Sequence, residues 1–252
     1  MTTAQDSEND QTSGPAAAAG GGTGPASRRG RGIVAATVSF VGELLITVGL
    51  VLALFVAYSL WWTNVLADRE AGRDADRVRQ SWSDKGPGEL DTKDGVGFLH
   101  VPAMDDDPVL VKKGTDGDIL NAGVAGYYTD PIKAALPWEK DGNFSLAAHR
   151  DGHGAKFHNI HKMKDGDPVV LETKDTWYVY KVYKTLPSTS KFDVDVLQQI
   201  PEKSGATKKS KYITLTTCTP MYTSDYRYIV WGELERTEKV DADRTPPKEL
   251  RG

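Results

Sequence analysis

The chain has 252 residues and 31 Lys+Arg against 35 Asp+Glu, a formal net charge of −4, so nothing in its charge argues for a nucleic-acid partner. That length suits one globular domain with appended segments. The single cysteine, Cys218, excludes an intrachain disulfide and a zinc site built from several thiolates.

Residues 1–32 are rich in Asp, Ser, Thr, Gln, Gly and Ala, and Met1 is their only large apolar side chain. Such a stretch buries too little apolar surface to offset its chain entropy, and it is expected to be a disordered cytoplasmic segment. Arg28, Arg29 and Arg31 then precede an apolar run from Ile33 to Trp62 in which Glu43 is the one charged residue. At about 1.5 Å per residue the uncharged stretch Leu44–Trp62 nearly crosses a bilayer core, and Tyr58, Trp61 and Trp62 stand where an aromatic belt holds the far interface. The run is long for a signal peptide and no small-x-small cleavage site follows it, so residues 33–62 are expected to form an uncleaved, single-pass signal anchor. The arginines nearest its start place the N-terminus in the cytoplasm and the bulk of the chain outside the cell membrane.

Residues 63–94 follow as a charged juxtamembrane stalk and linker, helical over 65–82 and broken at Lys85-Gly86-Pro87-Gly88. From there the texture turns to short β-rich runs at 97–101, 108–111, 144–148, 168–171, 176–183, 212–216 and 228–234, separated by Gly/Asp turns. Many short strands at close spacing predict a mainly β domain, a sandwich or closed barrel, over residues 95–236. A short helical patch is expected around Val194–Ile200. Residues 237–252, charged and carrying Pro246-Pro247, read as a flexible solvated tail.

Cys218 closes the β-branched run 213–217 just before Thr219-Pro220, which puts a thiol at a strand end and loop rim where substrate can reach it. A lone cysteine is ordinarily a small buried hydrophobe, but an unpaired thiol in an oxidising compartment points to reactivity. A nucleophilic thiol needs a proton acceptor nearby. His149 ends the run 144–148 in the same manner, whereas His153, His158 and His161 fall in the loop beyond and show no metal-site spacing. An acyl-transfer site also needs a donor for the developing oxyanion. Arg227, nine residues after Cys218, reaches the same sheet end if the two strands form a hairpin. Arg150, next to His149, is expected to point to the opposite face.

These residues resemble the sortases. Thr214-Leu215-Thr216-Thr217-Cys218 matches their Thr-Leu-x-Thr-Cys signature, Ala147-Ala148-His149 is similar to their Thr/Ala-Gly-His segment, and Arg227 stands where the family has its arginine. The likeness spans about residues 95 to 236. It implies an eight-stranded β-barrel with short helices and a cysteine transpeptidase that needs no cofactor. The family cleaves a C-terminal Leu-Pro-x-Thr-Gly or Leu-Ala-x-Thr-Gly signal between Thr and Gly through a thioacyl-enzyme. It then joins the surface protein to an amine of a cell-wall precursor, such as lipid II or peptidoglycan. Carried over, Cys218 is the nucleophile, His149 the general acid and base, and Arg227 the oxyanion and substrate donor. Tyr127, Tyr128, Thr216 and Thr217 are implied at the substrate. Tyr127, standing where the family commonly has a histidine, makes the chain most similar to class E sortases of high-GC Gram-positive bacteria and is expected to favour Ala over Pro in the signal. Ala147-Ala148 departs from the commoner Thr-Gly before the histidine. Two other readings stay open. One is a papain-like or peptidoglycan-cleaving cysteine hydrolase, which ordinarily has cysteine before histidine at a helix start. The other is a non-catalytic anchored domain that binds cell-wall polymers.

Overall fold

The computed structural model describes residues 29–84 and 95–251, so most of the segment expected to be disordered, and the break at Lys85-Gly86-Pro87-Gly88, lie outside the described residues. The chain divides into two compact units, residues 1–53 and 54–252. Helix α1 (Arg29–Ala57) carries Gly32–Ala57, an apolar stretch that buries no residue and is long enough to cross a bilayer. In the second unit a π-helical turn, Tyr58–Trp62, leads into α2 (Thr63–Asp84).

Eight strands close into a barrel: β1 (Gly97–Val101), β2 (Asp105–Lys113), β3 (Ala125–Tyr127), β4 (Gly142–Ala147), β5 (Pro168–Glu172), β6 (Thr176–Ser190), β7 (Lys211–Thr219) and β8 (Tyr226–Lys239). The order around the barrel is β1-β2-β3-β4-β7-β8-β6-β5, with β5 pairing back to β1. Closure leaves no free sheet edge, the usual reason for a small β domain to adopt this shape. Two pairs are parallel, β2 with β3 and β4 with β7. The one strand absent from the sequence reading is β3. It is three residues long with Gly126 at its centre, where an added Cβ would lie 1.9 Å from the Gly114 carbonyl oxygen, so the close approach of β2 and β3 removes the β-branched signal that marks the other strands.

Strand pleating sorts side chains between two faces. Phe144 and Leu146 of β4, Ile213 and Leu215 of β7, and Tyr228 and Val230 of β8 fill the barrel interior with Leu99, Phe157, Leu171 and Tyr180. On the outer face of the same strands Ile229 and Trp231 are covered by Val196 and Leu197 of a short 3₁₀ turn, Val194–Leu197, and the Trp231 indole donates to the Val196 carbonyl at 3.1 Å. The wall β4-β7-β8 is therefore buried on both sides until its strands run out beyond Thr217.

Two segments are more tightly held than their charged composition suggests. Helix α2 buries Ala67, Ala71, Asp74 and Val78, a 4-3-4 spacing that is one helical face. Val78 and Ala71 pack with Phe98, Leu110 and Val124 of the barrel, and the buried Asp74 pairs with Lys112 and Arg77. The stripe is made of small side chains among many charges, which is why the segment reads as a solvated stalk. The C-terminal residues, expected to be a solvated tail, fold back: Arg236 pairs with Glu249, Val240 and Leu250 pack on Trp177, and Arg244 binds Glu172 and lies over the Trp82 ring at 4.7 Å.

Glu172 is a buried carboxylate between Arg244 (2.9 Å) and His100 (3.0 Å). Burial alone would raise its pKa, but the two hydrogen bonds and their charges outweigh it and hold the group below the usual carboxylate value. A depressed carboxylate stabilises the fold above its unfolded pKa and loses that contribution as pH falls through its folded one. Arg244→Ala is predicted to cost about 2 kcal/mol at neutral pH, between the limits for exposed and buried pairs, and the gap to wild type should close in acid as Glu172 protonates. Denaturant unfolding across a pH series measures both.

Candidate active site

The parallel pairing of β4 with β7 sets Ala147 opposite Thr216. One further ladder bond continues the register, from the Ala148 N–H to the Thr216 carbonyl at 3.3 Å. Carried two residues past the Ala147–Thr216 pair, it brings His149 to the level of Cys218, both on the outer face that Ala147 and Thr216 share. On the other side β8 runs antiparallel with Arg227 directly opposite Cys218, a cross-strand pair with neighbouring Cβ atoms on one face. Two registers thus converge thiol, imidazole and guanidinium at one corner of the barrel, and all three are half-buried.

Each member has fixed partners. His149 Nε2 bonds the Asn121 Oδ1 amide oxygen at 2.9 Å, and its ring lies 5.2 Å from that of His153. Because an amide oxygen only accepts, the proton is on Nε2 and Nδ1 is left as the acceptor when the ring is neutral. Burial pulls the His149 pKa below the ordinary imidazole value and His153 adds to this, while Asp151 opposes it. Arg227 donates from Nη1 to the Ser224 and Tyr226 carbonyls, each at 3.0 Å. It forms no ion pair among the described residues, so its positive charge remains available to an anion. The Cys218 thiol is free.

Pleat parity separates the two tyrosines. Tyr127 sits opposite the core residue Leu146, is 5% exposed and packs on Phe144 with ring centroids 6.1 Å apart. The reading that placed Tyr127 in a substrate groove is therefore corrected: its ring faces the barrel interior. Its neighbour Tyr128 takes the outer face. The Tyr128 hydroxyl meets Thr216 Oγ1 at 3.0 Å. Burial raises its pKa, the Thr216 bond and the Arg227 charge lower it, and Cys218 raises it, which marks Tyr128 as a close neighbour of Arg227 and Cys218. Thr216 and Thr217 are buried, and their hydroxyls donate to the Leu146 and Ala148 carbonyls at 3.1 and 2.7 Å. They lock β7 to β4, Thr216 on the outer face and Thr217 on the inner one.

Arg150 points inward, as its position next to His149 requires. It is 8% exposed, donates from Nη1 to Thr219 Oγ1 at 2.8 Å and, more weakly, to the Cys218 carbonyl at 3.4 Å, and lies 5.7 Å from the centre of the Tyr228 ring. With Thr217 it ties the two strand ends together where backbone pairing stops. Asn121, His153 and Arg150 each touch the site without having been assigned a role from sequence. Asn121 lies 28 residues from His149, and no local pattern joins them. No cluster of three or more His, Cys, Asp or Glu side chains suited to a metal is present among the described residues.

The lowered pKa of His149 yields a sign prediction. Titrated by NMR in a Cys218→Ala background, His149 should show a pKa below the ordinary imidazole value. His153→Gln should raise it by removing a like charge, and Asp151→Asn should lower it further.

Comparison with known proteins agrees with this geometry. A family model described as the sortase domain matches residues 99–235. The chain is 65% identical over 240 residues to Sortase SrtE2 of Streptomyces coelicolor, covering 91% of this chain and 95% of that protein. The crystal structure of Sortase E1 from Streptomyces coelicolor with a tripeptide in the active site superposes with a TM-score of 0.59 at 41% identity, covering 65% of this chain and 99% of that one. Sortase E from Streptomyces avermitilis gives 0.55 at 32% identity over 65% of this chain and all of that one.

Proposed function

The chain belongs to the sortase family, a family of transpeptidases, and from that premise we propose that it is a membrane-anchored cysteine transpeptidase cutting sorting signals of the Leu-Ala-x-Thr-Gly type. The observation that carries this reading is the double register that brings His149, Cys218 and Arg227 to one face and one level.

The Cys218 thiol gives its proton to His149 and, as thiolate, attacks the Thr carbonyl carbon of the Thr–Gly bond. A new S–C bond forms, and the oxyanion that develops is met by the Arg227 guanidinium. Collapse breaks the C–N bond, and His149 delivers a proton to the departing glycine amine. The thioacyl-enzyme then receives an incoming amine, which gives its proton to His149 as the new amide forms and the S–C bond breaks. The reaction balances without any cofactor. The tripeptide in the active site of the related Sortase E1 supports a peptide occupant at this corner.

Tyr128, on the same face as Cys218, is the side chain we assign to contact the signal residue before x, where Ala and Pro differ. Cell-wall amines, of lipid II or peptidoglycan, are the proposed acceptors, and surface proteins with such signals the proposed donors. The exposed apolar helix α1 supports anchoring, and the arginines at its start support a cytoplasmic N-terminus. On this orientation the barrel works outside the membrane.

Incubated with a Leu-Ala-x-Thr-Gly peptide and a free amine, the protein should yield the peptide joined through Thr to that amine, seen by mass spectrometry. Cys218→Ala should abolish the product, and Arg227→Ala should lower the rate by about a hundredfold or more, in the range for loss of one oxyanion donor. Peptide ending in a free Thr carboxylate despite abundant amine would identify a hydrolase instead. Tyr128→His should shift the preference between Ala and Pro signals, and an unchanged preference would remove Tyr128 from the signal site.

A further inference from the structure

The loop that follows His149 has an unusual backbone. Gly152, His153, Gly154 and Ala155 all have positive φ, at 66°, 46°, 79° and 41°. Two of these are not glycine, so the segment is intrinsically unfavourable and persists only where its surroundings hold it. It matters because it carries His153, whose ring lies against His149.

What holds it comes largely from α2. Asn64 Oδ1 accepts the Gly154 N–H at 3.0 Å, and Asp68 Oδ1 pairs with Lys156 Nζ at 2.9 Å. Between these contacts the helix backbone meets a second segment of the site: a Cβ added at Gly123 would lie 3.0 Å from the Ala67 carbonyl oxygen. Gly123 is two residues from Asn121, the hydrogen-bond partner of His149. Gly154 also lies against Gly123, whose Cα would be 3.4 Å from a Cβ added there. The start of α2 therefore touches both segments that fix the histidine. A cavity of about 360 Å³ lined by Asp68, Gly72, Asp107 and Lys156 lies beside the contact. The polar bonds of Asn64 and Asp68 carry the alignment.

We propose that the first turns of α2 are a positioning element of the active site, in which Asn64 and Asp68 hold the His149 loop in its strained form. The catalytic histidine is thus braced by the helix that follows the apolar segment in the chain, and the helix serves the chemistry as well as the fold. This rests on the reading of His149 as the proton shuttle.

The test uses the full chain in lipid nanodiscs, with a Leu-Ala-x-Thr-Gly peptide and triglycine as amine. Asn64→Ala combined with Asp68→Asn should lower kcat by about tenfold while leaving KM and the melting midpoint unchanged, because the loss is one of alignment. Asp68→Lys should be impaired, and adding Lys156→Asp in the same chain should restore part of the activity. Amide hydrogen exchange should rise in residues 150–157 of the double variant and not in the barrel strands. A kcat within about twofold of wild type, or a loss that merely follows a lower melting midpoint, overturns the proposal. If the wild-type chain itself fails to turn over the peptide, the functional reading fails. Hydrogen exchange then still decides the brace, and unchanged exchange in the loop overturns it.

Discussion

The parallel pairing of β4 with β7 is the constraint on which the site depends. Parallel neighbours run out at the same end of a sheet, so a histidine just beyond the end of one strand and a cysteine near the end of the other meet at a single level. Antiparallel β8 then delivers an arginine opposite the cysteine as it begins. None of the three needs a long loop to reach the others. A one-residue slip in either register would turn one of these side chains into the barrel interior.

The structure guards against that slip with side chains where the backbone ladder ends. Thr217 and Arg150 tie β7 to the end of β4 on the interior face, and on the exterior the Thr216 hydroxyl bonds both the Leu146 carbonyl of β4 and the Tyr128 hydroxyl beyond β3. A buried guanidinium held by a hydroxyl, a carbonyl and an aromatic ring is a costly group to place. Its position immediately beneath the Cys218–Thr219 peptide gives it a structural use. The outer face of β8 beyond the site is in turn covered at Ile229 and Trp231 by the 3₁₀ turn at Val194–Leu197.

Much of this was legible in the sequence, and the rest was hidden for identifiable reasons. The long apolar helix, the positions of His149 and Cys218 near strand ends, and the hairpin bringing Arg227 to the cysteine follow from apolar runs and spacing. The resemblance to sortases supplied the closed eight-stranded topology. β3 was missed because a close strand approach demanded glycine where a strand pattern needs bulk. Tyr127 was misplaced because, of two adjacent tyrosines, only the register against Leu146 tells which faces inward. The buried stripe of α2 was obscured by the smallness of Ala67 and Ala71, and the folded-back C-terminus by charges whose partners, such as Glu172 for Arg244, lie about seventy residues away. Long-range pairings of this kind leave no local trace.

The central claim is that acyl transfer passes through the Cys218 sulfur. It is tested most directly by incubating the protein with sorting-signal peptide in the absence of any amine, quenching in acid, digesting and weighing the Cys218 fragment. The account predicts a mass gain on that fragment equal to the signal peptide up to Thr, and its removal by hydroxylamine. Peptide cleaved between Thr and Gly with no mass on Cys218, or with the adduct on another side chain, contradicts it.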